Sequence, residues 1–366
     1  MAEVVQAPAV LLQPAKIPKK TLLGPGPSNV PPEVNEAMVA PMLGHLHPEV
    51  LQVMQDIKQG LQYVFQTRNP LTYAASGTGH AGMESALTNL VEPDDSVLVC
   101  QHGLWGQRAT DMAQRQGGNV HTLVKEPGDC FKDLGEIEKA ILQHKPAVLF
   151  ICHGESSTGV LQPLEGLGSL CHQHDCLLVV DTVASLGAAP FFMDAWGVDC
   201  VYTGTQKTLS CPPGLAPISF SERAWKKIES RKTKPHSFYF DAKLVGNYWQ
   251  CFDDPPRYHH TGPISLFYAL RAALARVVKE GREEGIKRHQ DNARSLHAKV
   301  VELGLELFVK DEKYRLPSLT TIQVPVDVEW KPVLDHLMTQ YQIEIAGGLG
   351  ATAGKIWRIG LMGYNR

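Results

Sequence analysis

The sequence predicts an α/β protein: a large domain built on a mostly parallel sheet flanked by helices, followed by a smaller C-terminal α+β domain. Three observations carry this. The 366-residue length exceeds the roughly 100–200 residues of one domain, and 43% hydrophobic residues supply a sizeable core. Short apolar runs alternate with amphipathic stretches of helical length between residues 69 and 220. Most of those runs are apolar at successive positions, the pattern of strands covered on both faces, as in parallel sheets.

Residues 1–20 are Pro, Ala, Val and Lys without periodicity and read as an arm. They carry Glu3, no Arg and no apolar core with a small-residue cleavage site, so no secretory or transit peptide is read there. Gly24-Pro25-Gly26-Pro27-Ser28-Asn29 follows as a loop. Across 47–65, Val50, Val53, Met54, Ile57, Leu61, Val64 and Phe65 recur at the spacing of one helix face. Strands are expected at 96–100, 119–124, 147–152, 177–181, 199–203 and 216–220, giving a sheet of six or seven. Beyond Pro263 come helices at 264–279 and 285–303, a strand at 319–324, a helix at 330–341 and short strands near Ile343 and Trp357. The expected division is an arm at 1–22, a large cofactor-binding domain at 23–262 and a smaller α+β domain at 263–366.

Composition excludes several functions. The net charge of −3, from 35 Lys+Arg against 38 Asp+Glu, leaves no basic stripe for nucleic acid or an anionic membrane. There is no run of about 18 apolar residues to cross a membrane. None of the eight cysteines pairs as C-x-x-C, and several lie in apolar runs, which suits a reducing compartment. His259-His260 has no third ligand at metal spacing, so no metal site is expected.

Three motifs carry chemistry. Ser76-Gly77-Thr78-Gly79-His80-Ala81-Gly82 opens a helical stretch. It fits G-x-G-x-x-G, but the next strand ends Val99-Cys100-Gln101 without the acid that holds a dinucleotide ribose, which counts against a nicotinamide-dependent dehydrogenase. Small residues and unpaired N–H groups at a helix start still make a phosphate site. Leu177-Leu178-Val179-Val180-Asp181 is an apolar strand ending in a carboxylate, which faces the crevice where open sheets bind ligands or else caps a turn. In Tyr202-Thr203-Gly204-Thr205-Gln206-Lys207-Thr208 a lysine without charged sequence neighbours follows the next strand, either a surface lysine or one whose burial lowers its pKa and makes it a nucleophile. A phosphate cradle, a strand-end acid and a lysine are together the parts that pyridoxal phosphate requires.

Longer runs carry a resemblance: Gly24-Pro25-Gly26-Pro27-Ser28, 63–71, His153-Gly154-Glu155-Ser156-Ser157-Thr158-Gly159, 230–235, Tyr258-His259-His260-Thr261 and Ile343-Glu344-Ile345. From about Leu22 to the last residue the chain resembles the class V aminotransferases of fold type I. The resemblance implies a mostly parallel seven-stranded sheet and a pyridoxal 5'-phosphate cofactor. It further implies Lys207 as the amine that bonds to the cofactor, Asp181 at its pyridine nitrogen, and Thr78, Gly79, His80 and Gln206 around its phosphate. Tyr258 and Thr261 reach that phosphate from a partner subunit, which makes the protein a homodimer with a shared active site. Trp105 stacks on the ring, Ser156 bonds near its phenolic oxygen, Val183 lines the ring, Gly26 lies near the entrance and Arg358 clamps the substrate carboxylate.

The implied reaction moves the amino group of L-alanine or L-serine to glyoxylate, with 3-hydroxykynurenine as the alternative donor. The implied compartment is the peroxisome, with the mitochondrion as alternative. Relatives continue past Gly363-Tyr364-Asn365-Arg366 with a further helix, so the small domain is expected without it, and a C-terminal peroxisomal tripeptide is not visible.

Overall fold

A computed structural model describes residues 5–365; the outermost residues of the expected arm (1–4) and Arg366 lie outside the described residues. Seven strands form the main sheet: β1 (Thr72–Ser76), β2 (Ser96–Gln101), β3 (Asn119–Val124), β4 (Val148–Cys152), β5 (Leu177–Asp181), β6 (Cys200–Tyr202) and β7 (Leu215–Phe220). Their order is β1-β7-β6-β5-β4-β2-β3. The neighbours from β6 through β3 run parallel, and β7 runs antiparallel to both β6 and β1. This is the mostly parallel seven-stranded α/β sheet that the sequence predicts. Every residue of β4, β5, β6 and β7 is buried, as two helix-covered faces require, whereas edge strand β3 has no fully buried residue.

Strand β1 is absent from the sequence expectation. Its Thr-Tyr-Ala-Ala-Ser is short and poor in β-branched residues, and its pairing with β7 holds it in the sheet.

Eleven α-helices surround the strands among the described residues, and seven position the site or its two cores. They are α1 (Pro48–Phe65), α2 (Gly79–Leu90), α3 (Leu104–Arg115), α4 (Leu134–His144), α5 (Ile264–Glu280), α6 (Arg282–Glu302) and α7 (Trp330–Tyr341). Helix α1 buries Val50, Met54, Ile57, Leu61, Val64 and Phe65, the stripe read from the sequence. Helix α6 starts earlier than the expected 285 because Gly281, at φ 87°, alone separates it from α5. Helix α5 buries Phe267, Leu270 and Leu274 in the large core.

A second, smaller core forms around Val300, Leu307, Ile322 and Trp357. It backs a three-stranded antiparallel sheet of β8 (Leu319–Gln323), β10 (Ile356–Gly360) and β9 (Ala346–Gly347), in that order. The N-terminal segment leaves Val5, Val10, Leu11, Leu12 and Ile17 exposed, and then Thr21–Leu22 pairs in parallel with Ile343–Glu344.

Candidate active site

The connections around β2 reverse direction: β3 lies on one side of it and β4 on the other. Open α/β sheets hold their ligands beyond the strand ends at such a point. A cavity of about 130 Å³ lies there, lined by Gly79, His80, Trp105, Ser156, Asp181, Val183, Gln206 and Lys207, together with Met83, Gly154 and Ala184. Sequence separations of more than a hundred residues thus close into one site.

Lys207 stands in the turn after β6, and that turn is anchored by Ser28, whose N–H donates to Gln206 O at 2.8 Å and whose hydroxyl donates to Lys207 O at 2.6 Å. Lys207 Nζ donates to Pro25 O. Gly26, at φ 107°, allows this approach, since a Cβ there would stand 2.6 Å from Nζ. Burial, helped by the nearby Arg358 charge and opposed by Asp181 and Glu344, brings the Lys207 ammonium down to about 8. An amine so placed exchanges its proton near neutral pH.

Asp181 closes β5 between its register partners Cys152 and Tyr202. Its Oδ2 accepts from the Tyr202 hydroxyl at 2.6 Å and its Oδ1 from the Val183 N–H at 2.7 Å. Burial pushes this carboxyl up to about 6, against the pull of those two donors and of Lys207. The carboxylate is fixed in direction and ionised at neutral pH.

The start of α2 supplies the opposite end of the cavity. Thr78 makes no side-chain cap, and the N–H groups of Gly79 and His80 have no acceptor among the described residues. The Gln206 Oε1 is buried without a partner among the described residues, and Gly204 leaves room beside it and the Gly79 nitrogen. Unpaired helix-start donors fit a phosphate. The Trp105 ring forms a wall, its Nε1–H donating to Ser156 Oγ at 2.8 Å, with His80 edge-on at 5.5 Å. Arg358, on β10, is 6% exposed; its Nε–H donates to Gly347 O at 2.7 Å and its Nη1–H to Ser156 O at 3.2 Å. Tyr258 and Thr261 do not line the cavity within the chain: Tyr258 is 55% exposed, and its hydroxyl lies 3.3 Å from Thr261 Oγ1.

Sequence reasoning missed Glu155, three residues beyond the end of β4. Its fully buried carboxylate accepts from Ser157 N–H at 2.9 Å, Ser157 Oγ–H at 2.6 Å and Trp105 N–H at 3.2 Å, and burial pushes it up to about 7 despite these donors. Because the folded-state value lies above the ordinary 4.5, Glu155 contributes stability below pH 4.5 that is lost as pH rises through 7. Those 2.5 pH units, at 1.36 kcal/mol each, amount to about 3 kcal/mol. Denaturant unfolding at matched cofactor loading should show wild type losing about that much stability relative to Glu155→Gln between pH 4.5 and 8. A pH-independent difference would contradict the buried-carboxylate account.

His259 and His260 face each other, Nδ1 to Nδ1, at 2.8 Å, and His260 Nε2 lies 2.7 Å from Ser76 Oγ. No group of three metal-ligating side chains exists among the described residues, and none of their helices is long and apolar enough to cross a membrane.

A low-pKa lysine and a strand-end carboxylate in one cavity, beside a helix start with unpaired donors and a buried arginine bonded to the cavity wall, are the parts that suit an enzyme handling amino groups through pyridoxal phosphate. The chain belongs to the class V aminotransferases: the family model, Aminotransferase class-V, matches residues 22–366. It is 52% identical over 361 residues to the alanine–glyoxylate aminotransferase of Callithrix jacchus, covering 99% of this chain and 87% of that one. A crystal structure of alanine–glyoxylate aminotransferase from Nostoc sp. superposes with a TM-score of 0.94 at 48% identity, over 96% of this chain and 92% of that one. The ureidoglycine–glyoxylate aminotransferase of Bacillus subtilis superposes with a TM-score of 0.92 at 37% identity, over 96% of this chain and 90% of that one. Pyridoxal phosphate is the cofactor of this fold and family, and the residues of the cavity fit it.

Proposed function

We propose that the protein transfers the amino group of L-alanine to glyoxylate, giving pyruvate and glycine, and accepts L-serine as a second donor, giving hydroxypyruvate. The observation that carries this reading is the convergence of Lys207 and Asp181 on one small cavity, with the buried Arg358 bonded to the carbonyl of Ser156 in its wall; the names of the similar proteins support the choice of alanine and glyoxylate. Bound pyridoxal phosphate supplies the aldehyde that takes up the amino group and the ring that accepts the electrons released at the substrate Cα.

The chain's residues do the rest. Thr78, Gly79, His80 and Gln206 hold the phosphate, and Asp181 keeps a proton on the pyridine nitrogen. Arg358 takes the substrate carboxylate through a bidentate pair. Lys207 would be the residue bonded to the cofactor at rest, and its freed amine would carry the proton from the substrate Cα to the former aldehyde carbon. Trp105 and Val183 cover the ring faces and exclude water, and Ser156 orients Trp105 through its hydroxyl. Gly26 leaves room for the Lys207 side chain, against which a Cβ would clash. Single-turnover rates test the substrate: alanine is expected to outpace 3-hydroxykynurenine, and the reverse order would overturn the choice of donor.

The reading includes a homodimer with shared sites, supported by the exposure of Tyr258 away from its own cavity. Mixing Lys207→Ala chains with Tyr258→Ala/Thr261→Ala chains should then rebuild one intact site per hybrid, or about a quarter of wild-type activity after random exchange. Absence of any recovery in confirmed hybrids would contradict sharing. The peroxisome, implied by the family resemblance, is the proposed compartment; catalase co-fractionation of the native protein supports it, and co-fractionation with mitochondria overturns it.

A further inference from the structure

Glu344 closes the short strand that pairs with Thr21–Leu22, and its Oε2 accepts the Gly24 N–H at 3.2 Å. A Cβ on Gly24 would stand 2.6 Å from Glu344 Oε1, so the carboxylate lies flush against that backbone. The next two residues of the same loop touch Lys207: Pro25 O accepts from Nζ, and Gly26 packs directly on the side chain. Residues two apart have Cα atoms within about 7 Å, so Glu344 and Lys207 flank one tripeptide.

On the other side, Ala346, two residues beyond Glu344, is the register partner of Arg358. The Glu344 charge supports both cations, opposing the effect of burial at Lys207 and at Arg358. No Lys, Arg or His forms an ion pair with Glu344 among the described residues.

A substrate with its α-carboxylate at Arg358 and its amino group toward Lys207 would lie between the two cations that Glu344 supports, and its side chain would approach the Gly24–Gly26 loop on which Glu344 rests. We propose that Glu344 sets the charge selectivity of the substrate site, turning away amino donors and oxo-acid acceptors that carry a second carboxylate while admitting short neutral side chains and ω-amides. In a cavity of low dielectric, like charges repel far more strongly than in water. This inference rests on the aminotransferase reading above.

The test compares kcat/KM, with glyoxylate as acceptor, for two nearly isosteric pairs: L-glutamine against L-glutamate and L-asparagine against L-aspartate. Wild type should favour each amide over its acid by at least about tenfold, equivalent to 1.4 kcal/mol. Glu344→Gln keeps a carbonyl for the Gly24 N–H and should move both ratios toward unity. A merely structural role lowers every donor together and leaves the ratios where they were. The proposal is overturned if wild type uses the acids as well as the amides, or if the ratios do not move in the variant. Should Glu344→Gln fail to fold, the wild-type ratios decide, together with calorimetric binding of succinate against succinamate to the holoenzyme. Succinamate is expected to bind more tightly, and equal affinities would overturn the proposal. Turnover absent with every donor, alanine included, would instead overturn the aminotransferase reading, while the succinate comparison still reads the charge selection.

Discussion

Lys207→Ala is expected to lower steady-state amino transfer by about 10⁴-fold, the upper end of what a positioned proton carrier contributes. The reason is geometric. Among the described residues Lys207 Nζ donates only to Pro25 O, so its removal leaves no polar partner chain to collapse, and the turn remains anchored by Ser28 through backbone atoms. The ammonium is already disfavoured by burial, so the variant should fold with undiminished thermal stability. Added small primary amines should restore part of the rate, because the missing group is a base and not a scaffold. A variant retaining more than about a hundredth of wild-type rate would assign proton transfer to another residue.

Asp181→Asn is the second large effect, expected to reduce kcat by about 10²–10³-fold, the cost of losing one preorganised charge at a reacting system. An amide in this place cannot hold a proton on the pyridine nitrogen as an anion does. The Tyr202 hydroxyl and Val183 N–H fix the direction of the carboxylate, so the substitution changes charge with little change of position. The pH profile separates charge from shape. With Asp181 at about 6, wild-type rate should fall as pH drops below 6 and the carboxylate takes up a proton. In Asp181→Asn that acid limb should be missing, and the dissociation constant of the cofactor should rise. An unchanged acid limb in the variant would place the titrating group elsewhere.

Much of this site is legible in the sequence because each part is local. Leu177 to Asp181 announces a buried strand with an acid at its end, and the glycines around Thr78 announce a helix start that can take an anion. What is not legible is long-range. Glu155 reads as one acid among many until β2 and β4 come together and bring it to the Trp105 N–H. Tyr202 reads as strand filling until its register with Asp181 aims its hydroxyl at the carboxylate. Arg358 lies 202 residues from Ser156 in the chain, and only the docking of β10 joins them. Strand β1 escaped because Thr72 to Ser76 takes its stability from β7 and not from its own composition.

The most direct test of the account is the visible absorbance of the purified protein, loaded with pyridoxal phosphate, through one complete cycle of substrate additions. Wild type should show a band from the lysine-bound cofactor that is altered in Lys207→Ala, falls when L-alanine is added and returns when glyoxylate follows. A wild-type protein that gains no band after incubation with pyridoxal phosphate, or one whose band does not respond to alanine, would contradict the central claim that Lys207 and Asp181 form the working centre of an alanine-using aminotransferase.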